Sequence, residues 1–214
     1  MNASGEFQAF ASPRSPFGLR VCDLGWTAAL GFVESLISMQ GNRTTLAFLD
    51  ARTALRQAAD AGYRDELRRG LLLPSGGRTF GFLMKALREG PLPARYSART
   101  FVPALLTFLE KGRRIGIAGE DIARIEALRD HFVRHAPWHD IVAIAPDREI
   151  AQPFDVVIVD APRFAEEKRI ELRLAALRTG LVVMAGSGLS GFIEGRPALA
   201  AAKAGVGSAE PSFA

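Results

Sequence analysis

Short apolar runs alternate with longer stretches of helical periodicity through most of the chain. Trp26, Leu30, Val33 and Ile37 recur at the spacing of one helix face and predict a helix over 27–39. A β-favouring run follows at 44–49 and ends at Asp50, where a helix over 51–61 begins, with a second short helix over 63–69. Leu71 to Leu73 reads as a buried strand, stopped by Pro74-Ser75-Gly76-Gly77. Helices are predicted over 79–87 and 98–111, separated by Gly90-Pro91-Leu92-Pro93. Next come a strand over 113–118 and an amphipathic helix over 121–135, with Ile122, Ile125, Leu128 and Phe132 on one face. Pro137 stops that helix. Strands over 141–145 and 154–159, a helix over 166–177 and a last strand over 181–184 complete the series, and Gly186-Ser187-Gly188 opens a turn. The run at 154–159, apolar apart from Asp155, suits a strand covered on both faces.

Strands that alternate with helices predict right-handed crossovers and a mainly parallel sheet, that is, an α/β, Rossmann-like fold with helices flanking the sheet. Ligands of such sheets collect beyond the carboxyl ends of the strands. Here those ends are Asp50, Pro74-Ser75-Gly76, Ala118-Gly119-Glu120, Asp160-Ala161-Pro162 and residues 185–190. The expected organisation is a flexible leader over 1–18, one α/β domain over 19–194 and a flexible Ala/Gly-rich tail over 195–214, with one helical turn near 197–203.

The totals narrow this little. The 214 residues are 48% hydrophobic and 23% charged, ordinary values for a packed globular domain. The net charge of +4 comes almost wholly from arginine, with lysine only at 85, 111, 168 and 203. Arginine suits bidentate contact with phosphate, although a GC-rich genome gives the same bias. The lone Cys22 excludes an internal disulfide and reads as a small buried hydrophobe. The first 18 residues lack the pattern of a signal peptide. No apolar run reaches the roughly 18 residues of a spanning helix. The expectation is a cytoplasmic protein whose membrane contact, if any, is peripheral. Nucleic-acid binding is not expected: the charge is modest and the aromatics are not interleaved with the basic residues.

Five stretches resemble the WecG/TagA/CpsF glycosyltransferase family in order and spacing. They are Phe48-Leu49-Asp50-Ala51 with the helix after it, Leu73-Pro74-Ser75-Gly76, Leu92-Pro93-Ala94-Arg95, Arg114 to Gly119 through Pro137, and Asp160-Ala161-Pro162-Arg163 with Glu166-Glu167-Lys168. Gly186-Ser187-Gly188 echoes the family's later Gly-Gly-Ser turn. The resemblance covers residues 22–193. It implies transfer of a sugar from a nucleotide diphosphate donor to a polyprenyl-diphosphate-linked acceptor in bacterial surface-polysaccharide synthesis, at the inner membrane face, with no metal or cofactor. The chain departs from the family at positions that carry chemistry. Ser75 stands where the family has the aspartate presumed to be its general base. Asp50-Ala51 replaces an Asn-Thr pair, the glutamine after Ala-Pro is not at its usual spacing, and the Arg- and aromatic-rich C-terminal appendage is missing.

Sugar transfer with inversion needs a proton acceptor, stabilisation of the leaving diphosphate and alignment of both substrates. Asp160, at the end of the most buried strand, is the preferred relocated base, and Asp50 is the second; helix capping is the ordinary reading of each. Ser75 is too weakly acidic to act as a base alone but can hydrogen-bond a sugar. Arg95 is the leading candidate for the diphosphate, against the reading as a surface arginine before a helix, and Arg163, near Lys168, is the next, against the reading as part of a solvated helix face. Backbone N–H groups of Gly186, Ser187 and Gly188 are candidates for phosphate contact, with Gly119 a weaker one; ordinary turns explain both sets. His131, His135 and His139 lack a set of further ligands and read as helix-end or solvent-exposed residues rather than a metal site. Arg64, Arg68 and Arg69 read as a solvated helix face. Two functional readings follow. One is an active transferase, with a nucleotide-sugar and a polyprenyl-linked acceptor as partners. The other is a catalytically degenerate member that binds a nucleotide-sugar or supports a partner transferase.

Overall fold

The computed structural model describes residues 21–22, 24–39, 43–50, 53, 56, 60–75, 95–146, 152–175 and 177–193. The leader, the tail and the helix expected over 79–87 lie outside the described residues.

Six strands form one sheet in the order β2-β1-β6-β5-β3-β4, and every neighbouring pair is parallel. They are β1 (Thr44–Leu49), β2 (Leu71–Pro74), β3 (Arg114–Ala118), β4 (Asp140–Ile144), β5 (Phe154–Asp160) and β6 (Thr179–Gly186). The helices whose bounds fall among the described residues are α1 (Trp26–Ser38), α2 (Ala61–Arg69), α3 (Ala98–Phe108), α4 (Ile122–His135) and α5 (Phe164–Leu174), followed by a 3-10 turn at Ser190–Phe192; Thr53 and Arg56 are helical as well. This is the Rossmann-like α/β architecture expected from the alternation of elements.

Side chains alternate between two apolar layers along each central strand, as the pleat requires. Leu46, Phe48, Val156, Ile158, Leu181 and Val183 join one core with α1, α3 and α4. Ala47, Leu49, Val157, Val159, Val182 and Met184 join a second with α2 and α5. Val156 to Val159 are all buried, so β5 is covered on both faces. The helices sort by direction of travel. The connections β1 to β2 and β5 to β6 run toward one edge of the sheet, and their helices α2 and α5 share a face. The connections β2 to β3 and β3 to β4 run the other way, and α3 and α4 lie on the opposite face. Right-handed crossovers produce this segregation.

Local chemistry sets several boundaries that periodicity missed. The helix expected over 166–177 begins at Phe164, because Arg163 caps it and its N–H donates to Glu166 Oε2 at 3.3 Å. It ends at Leu174, short of the expected 177. The helix expected to reach 111 stops at Phe108: Leu109 turns into the core, and Trp138 Nε1 donates to its carbonyl at 3.0 Å. β6 is longer than its apolar centre suggests. Gly180 extends it where a Cβ would lie 3.1 Å from the Asp155 carbonyl. The second short helix starts at Ala61 rather than at 63, because the Asp60 side chain accepts the Tyr63 N–H at 3.1 Å.

That cap gives a pH signature. The Tyr63 N–H holds the Asp60 carboxyl below its ordinary 3.8, so the capping contribution is complete above that value and is lost as pH falls through the lower folded value. In acid titrations followed by far-UV circular dichroism, Asp60→Asn should remove this component below pH 3.8 and leave the neutral range little changed. At the other end of the same helix, a Cβ on Gly70 would meet the Thr45 carbonyl oxygen at 2.6 Å. Gly70→Ala should therefore destabilise the fold by about 1–3 kcal/mol in urea titrations, since rigid backbone must shift to admit the methyl.

Candidate functional site at the carboxyl edge

The chain leaves neighbouring strands toward opposite faces. After β1 it enters the α2 side. After β2 it passes to α3, and after β6 to the turn that carries Leu189 and Phe192 into the α3/α4 core. Divergence of this kind opens a crevice at the carboxyl ends of β2, β1 and β6. A cavity of 130 Å³ lies there, lined by Asp50, Thr53, Tyr63, Ser75, Ser97, Glu167 and the Gly186-Ser187-Gly188 turn, with Ala98 and the ends of β1 and β6.

Each wall has a local cause. Asp50 ends β1 and accepts the Thr53 N–H at 2.8 Å, while the Thr53 hydroxyl donates to the Phe48 carbonyl at 2.9 Å. Ser75 continues β2, its N–H donating to the Leu49 carbonyl at 3.1 Å, and bridges to Tyr96. Tyr96 is held in turn by stacking on Trp26 and by donating its hydroxyl to the Leu24 carbonyl at 2.5 Å. Ser97 caps α3, accepting the Thr100 N–H at 3.2 Å, so the first turn of that helix faces the crevice. Gly186 has φ of 59°, a left-handed conformation that favours glycine. A Cβ on Gly188 would lie 2.8 Å from Ala98 Cβ and 3.0 Å from the Ala185 carbonyl, so the turn lies directly against the start of α3.

The α2/α5 side of the cavity is charged and buried. Glu167 is 5% exposed and lies 2.7 Å from Arg56 Nη1, off the hydrogen-bond axis. Arg56 also meets Glu171 at 3.5 Å, and its guanidinium lies 3.6 Å from the centre of the Tyr63 ring. Burial, and secondarily the Glu167 charge, push the Tyr63 phenol well above its ordinary value, so it stays protonated. Among the described residues that line this cavity the charged ones are Asp50 and Glu167, and no lysine or arginine lines it.

A second carboxyl-edge crevice, between β6, β5 and β3, is filled. The Asp160 side chain is fully buried and forked by Arg124 of α4: Nε contacts Oδ2, and Nη2 donates to Oδ1 at 3.0 Å. The same Nη2 donates to Ser190 Oγ at 3.0 Å, and Ser190 Oγ donates to the Ser187 carbonyl at 2.8 Å. Arg124 thus ties α4 to the end of β5 and to the turn that walls the open cavity. Gly119 belongs to this closed region, where a Cβ would meet Ile125 Cγ2 at 2.5 Å and the Asp160 carbonyl at 3.2 Å.

The structure therefore brings Asp50, Ser75, Gly186, Ser187 and Gly188 to one cavity and places the other sequence candidates elsewhere. Asp160 and Gly119 lie in the closed crevice. Arg163 is an exposed helix cap, its side chain 82% accessible and 3.7 Å from Glu166. Arg95 is exposed and is not among the described lining residues. Sequence reasoning missed Thr53, Tyr63, Ser97, Glu167 and the clamp Arg124. Of these, only Ser97 and Glu167 carried a local signal, a serine before a helical run and acid in a first helical turn. The histidines serve packing. His139 is buried rather than solvent-exposed; it accepts the Arg113 N–H on Nδ1 at 3.2 Å, which leaves Nε2–H to donate to the Leu106 carbonyl at 2.8 Å. His135 Nε2 lies 3.0 Å from Thr107 Oγ1, and His131 packs on Phe192. No metal-binding cluster occurs among the described residues.

Fold and cavity together define an all-parallel, Rossmann-like α/β protein with a small polar pocket at a topological switch point. No protein-family model matches the chain, and no curated protein matches it either. Among the described residues no helix is long and apolar enough to cross a membrane.

Removing the clamp should expose how far the site depends on it. Arg124→Met leaves the buried Asp160 carboxylate unpaired and should cost about 3–5 kcal/mol in urea titrations, whereas Arg124→Met combined with Asp160→Asn should recover most of the loss.

Proposed function

We propose that this chain is a nucleotide-sugar-binding protein of the WecG/TagA/CpsF glycosyltransferase type, transferring a hexosyl group to a polyprenyl-diphosphate-linked acceptor in bacterial surface-polysaccharide synthesis. One observation carries the reading. Three stretches far apart in sequence, Asp50, Ser75 and Gly186 to Gly188, each singled out by the resemblance, line a single pocket at the carboxyl edge.

The lining suggests a division of labour. At 130 Å³ the pocket has room for a sugar ring but is below the roughly 300 Å³ of a site that encloses a larger ligand, so the nucleotide would extend beyond it. The first turn of α3 and the glycine turn offer backbone N–H groups toward a diphosphate, apart from those of Thr100 and Gly188, which already donate to Ser97 Oγ and the Ala185 carbonyl. Ser75 and the Tyr63 hydroxyl suit hydrogen bonds to sugar hydroxyls. Asp160, enclosed by Arg124, has no access to a substrate in this arrangement, so the proton acceptor in this proposal is Asp50. The lipid-linked acceptor requires peripheral contact with the membrane surface or with a membrane-bound partner transferase.

A second reading, a catalytically degenerate member that binds a nucleotide-sugar without transferring it, is favoured by two specific features. The Asp50 carboxylate already accepts the Thr53 N–H, and Ser75 occupies the position the resemblance assigns to the base. Thermal-shift measurements with UDP and a panel of UDP-hexoses, followed by transfer to a polyprenyl-diphosphate-linked acceptor, separate the readings. An active transferase should be stabilised by one UDP-hexose and should lose about 100-fold or more in turnover on Asp50→Asn. Stabilisation without turnover selects the degenerate member. If no UDP-hexose or UDP raises the melting temperature, both readings fail.

A further inference from the structure

The opposite edge of the sheet carries a second hollow, independent of the carboxyl-edge reading. It encloses 610 Å³ at the amino ends of β5 and β6 and is lined by Ile37, Arg43, Asp155, Arg178, Thr179 and Gly180, with Pro153, Phe154 and Leu177. That volume falls in the range of about 300–1,000 Å³ usual for small-ligand sites. The length of β6 separates it from the carboxyl-edge pocket by roughly 20–25 Å at the rise of an extended strand.

Its charge is not balanced from within. Arg56, Arg113, Arg114, Arg124, Arg129 and Arg169 each meet a carboxylate. Arg43 and Arg178, which line this hollow, form no ion pair or side-chain hydrogen bond among the described residues. Asp155, the acid in the lining, is already engaged: Arg113 Nη1 lies 3.6 Å from it, and the Arg114 N–H donates to its Oδ2 at 2.8 Å. Thr179 is 9% exposed, and its hydroxyl has no hydrogen-bond partner. That oxygen is itself enclosed, so Thr179 forms part of the wall and contact with an outside group falls to the two arginines. The end of α1 contributes Ile37 to the same wall, and helix carbonyls attract cations. Neither guanidinium donates to those carbonyls among the described residues, so the helix end leaves both planar forks open.

We propose that this hollow binds a phosphate group between the guanidinium groups of Arg43 and Arg178 at the amino edge of the sheet. Gly180 contributes through the side chain it lacks, since a Cβ there would press on the Asp155 carbonyl and shift the floor. The phosphate belongs either to a soluble molecule or to the headgroup of an anionic lipid.

The test uses the full chain with inorganic pyrophosphate as probe, read by amide chemical-shift changes at Thr179 and Gly180 and by isothermal titration. The site should saturate in low salt, weaken as salt rises, and lose about tenfold or more in affinity in Arg43→Gln/Arg178→Gln. Both arginines are at least partly exposed, so the double variant should keep the parent circular dichroism. If it does not, the single variant Arg178→Gln, at an exposed position, gives the same reading. Sedimentation with phosphatidylcholine vesicles, with and without phosphatidylglycerol, distinguishes the sources. Arginine-dependent binding only to the anionic vesicles assigns the lipid headgroup, and pyrophosphate binding without it assigns a soluble phosphate. Absence of binding to both probes, or binding that the double variant leaves unchanged, overturns the proposal. Shifts confined to Gly186 to Gly188 place the anion at the carboxyl-edge pocket and overturn it as well.

Discussion

Two-sided burial of β1, β6 and β5 is the constraint from which the rest of the molecule follows. A parallel strand in the middle of a sheet has hydrogen-bonded neighbours on both sides and apolar layers above and below, so it tolerates little polarity along its length. Val156 to Val159 and Leu181 to Val183 meet that demand. Polar residues are therefore confined to strand ends, and helices must cover both faces. Once the helices divide between the faces, neighbouring strands send their chain in opposite directions. Cavities then form at the carboxyl edge because the backbone has parted there.

Two such partings exist along this edge, and the sequence treats them differently. Between β6, β5 and β3 a guanidinium from α4 reaches into the gap, pairs with Asp160 and secures Ser190. Between β2, β1 and β6 glycines and small hydroxyl residues leave space, and the nearest large polar groups, Glu167 and Tyr63, are restrained by Arg56 from the far side. The two arrangements are joined, since Arg124 reaches the turn that borders the open one through Ser190 and the Ser187 carbonyl.

Much of the fold was legible because apolar periodicity is a direct record of burial. The run at 154–159 announced a central strand, and the face of Ile122, Ile125, Leu128 and Phe132 announced a helix, which packs on β3 and β4 through the last three while Ile122 is exposed. Boundaries were less legible where a single polar contact sets them, as at Arg163 with Glu166, or where a distant residue takes a carbonyl, as Trp138 does at Leu109. The candidate site was half legible. Strand ends can be counted along the sequence, which located Asp50, Ser75 and the Gly186 turn. Whether a strand-end carboxylate is open or occupied depends on a partner from another element. Asp160 looked like the better base from its strand, and only Arg124, 36 residues away, distinguishes it from Asp50. Glu167 and Tyr63 were hidden for a similar reason, because they reach the cavity from helices whose outward faces dominate the local pattern.

The contact between Gly188 and Ala98 sets a limit on how this protein can diversify. One wall of the carboxyl-edge pocket is main chain pressed against main chain, with a methyl group as the only spacer. Mutation has almost no purchase on such a surface, because any larger residue pries the turn from the helix instead of reshaping the recess. Relatives that came to prefer a different ligand would have to do so from the opposite wall, where tyrosine and glutamate can be exchanged for other side chains. Natural variation in ligand preference should thus concentrate at positions 63 and 167 while 98 and 188 stay small.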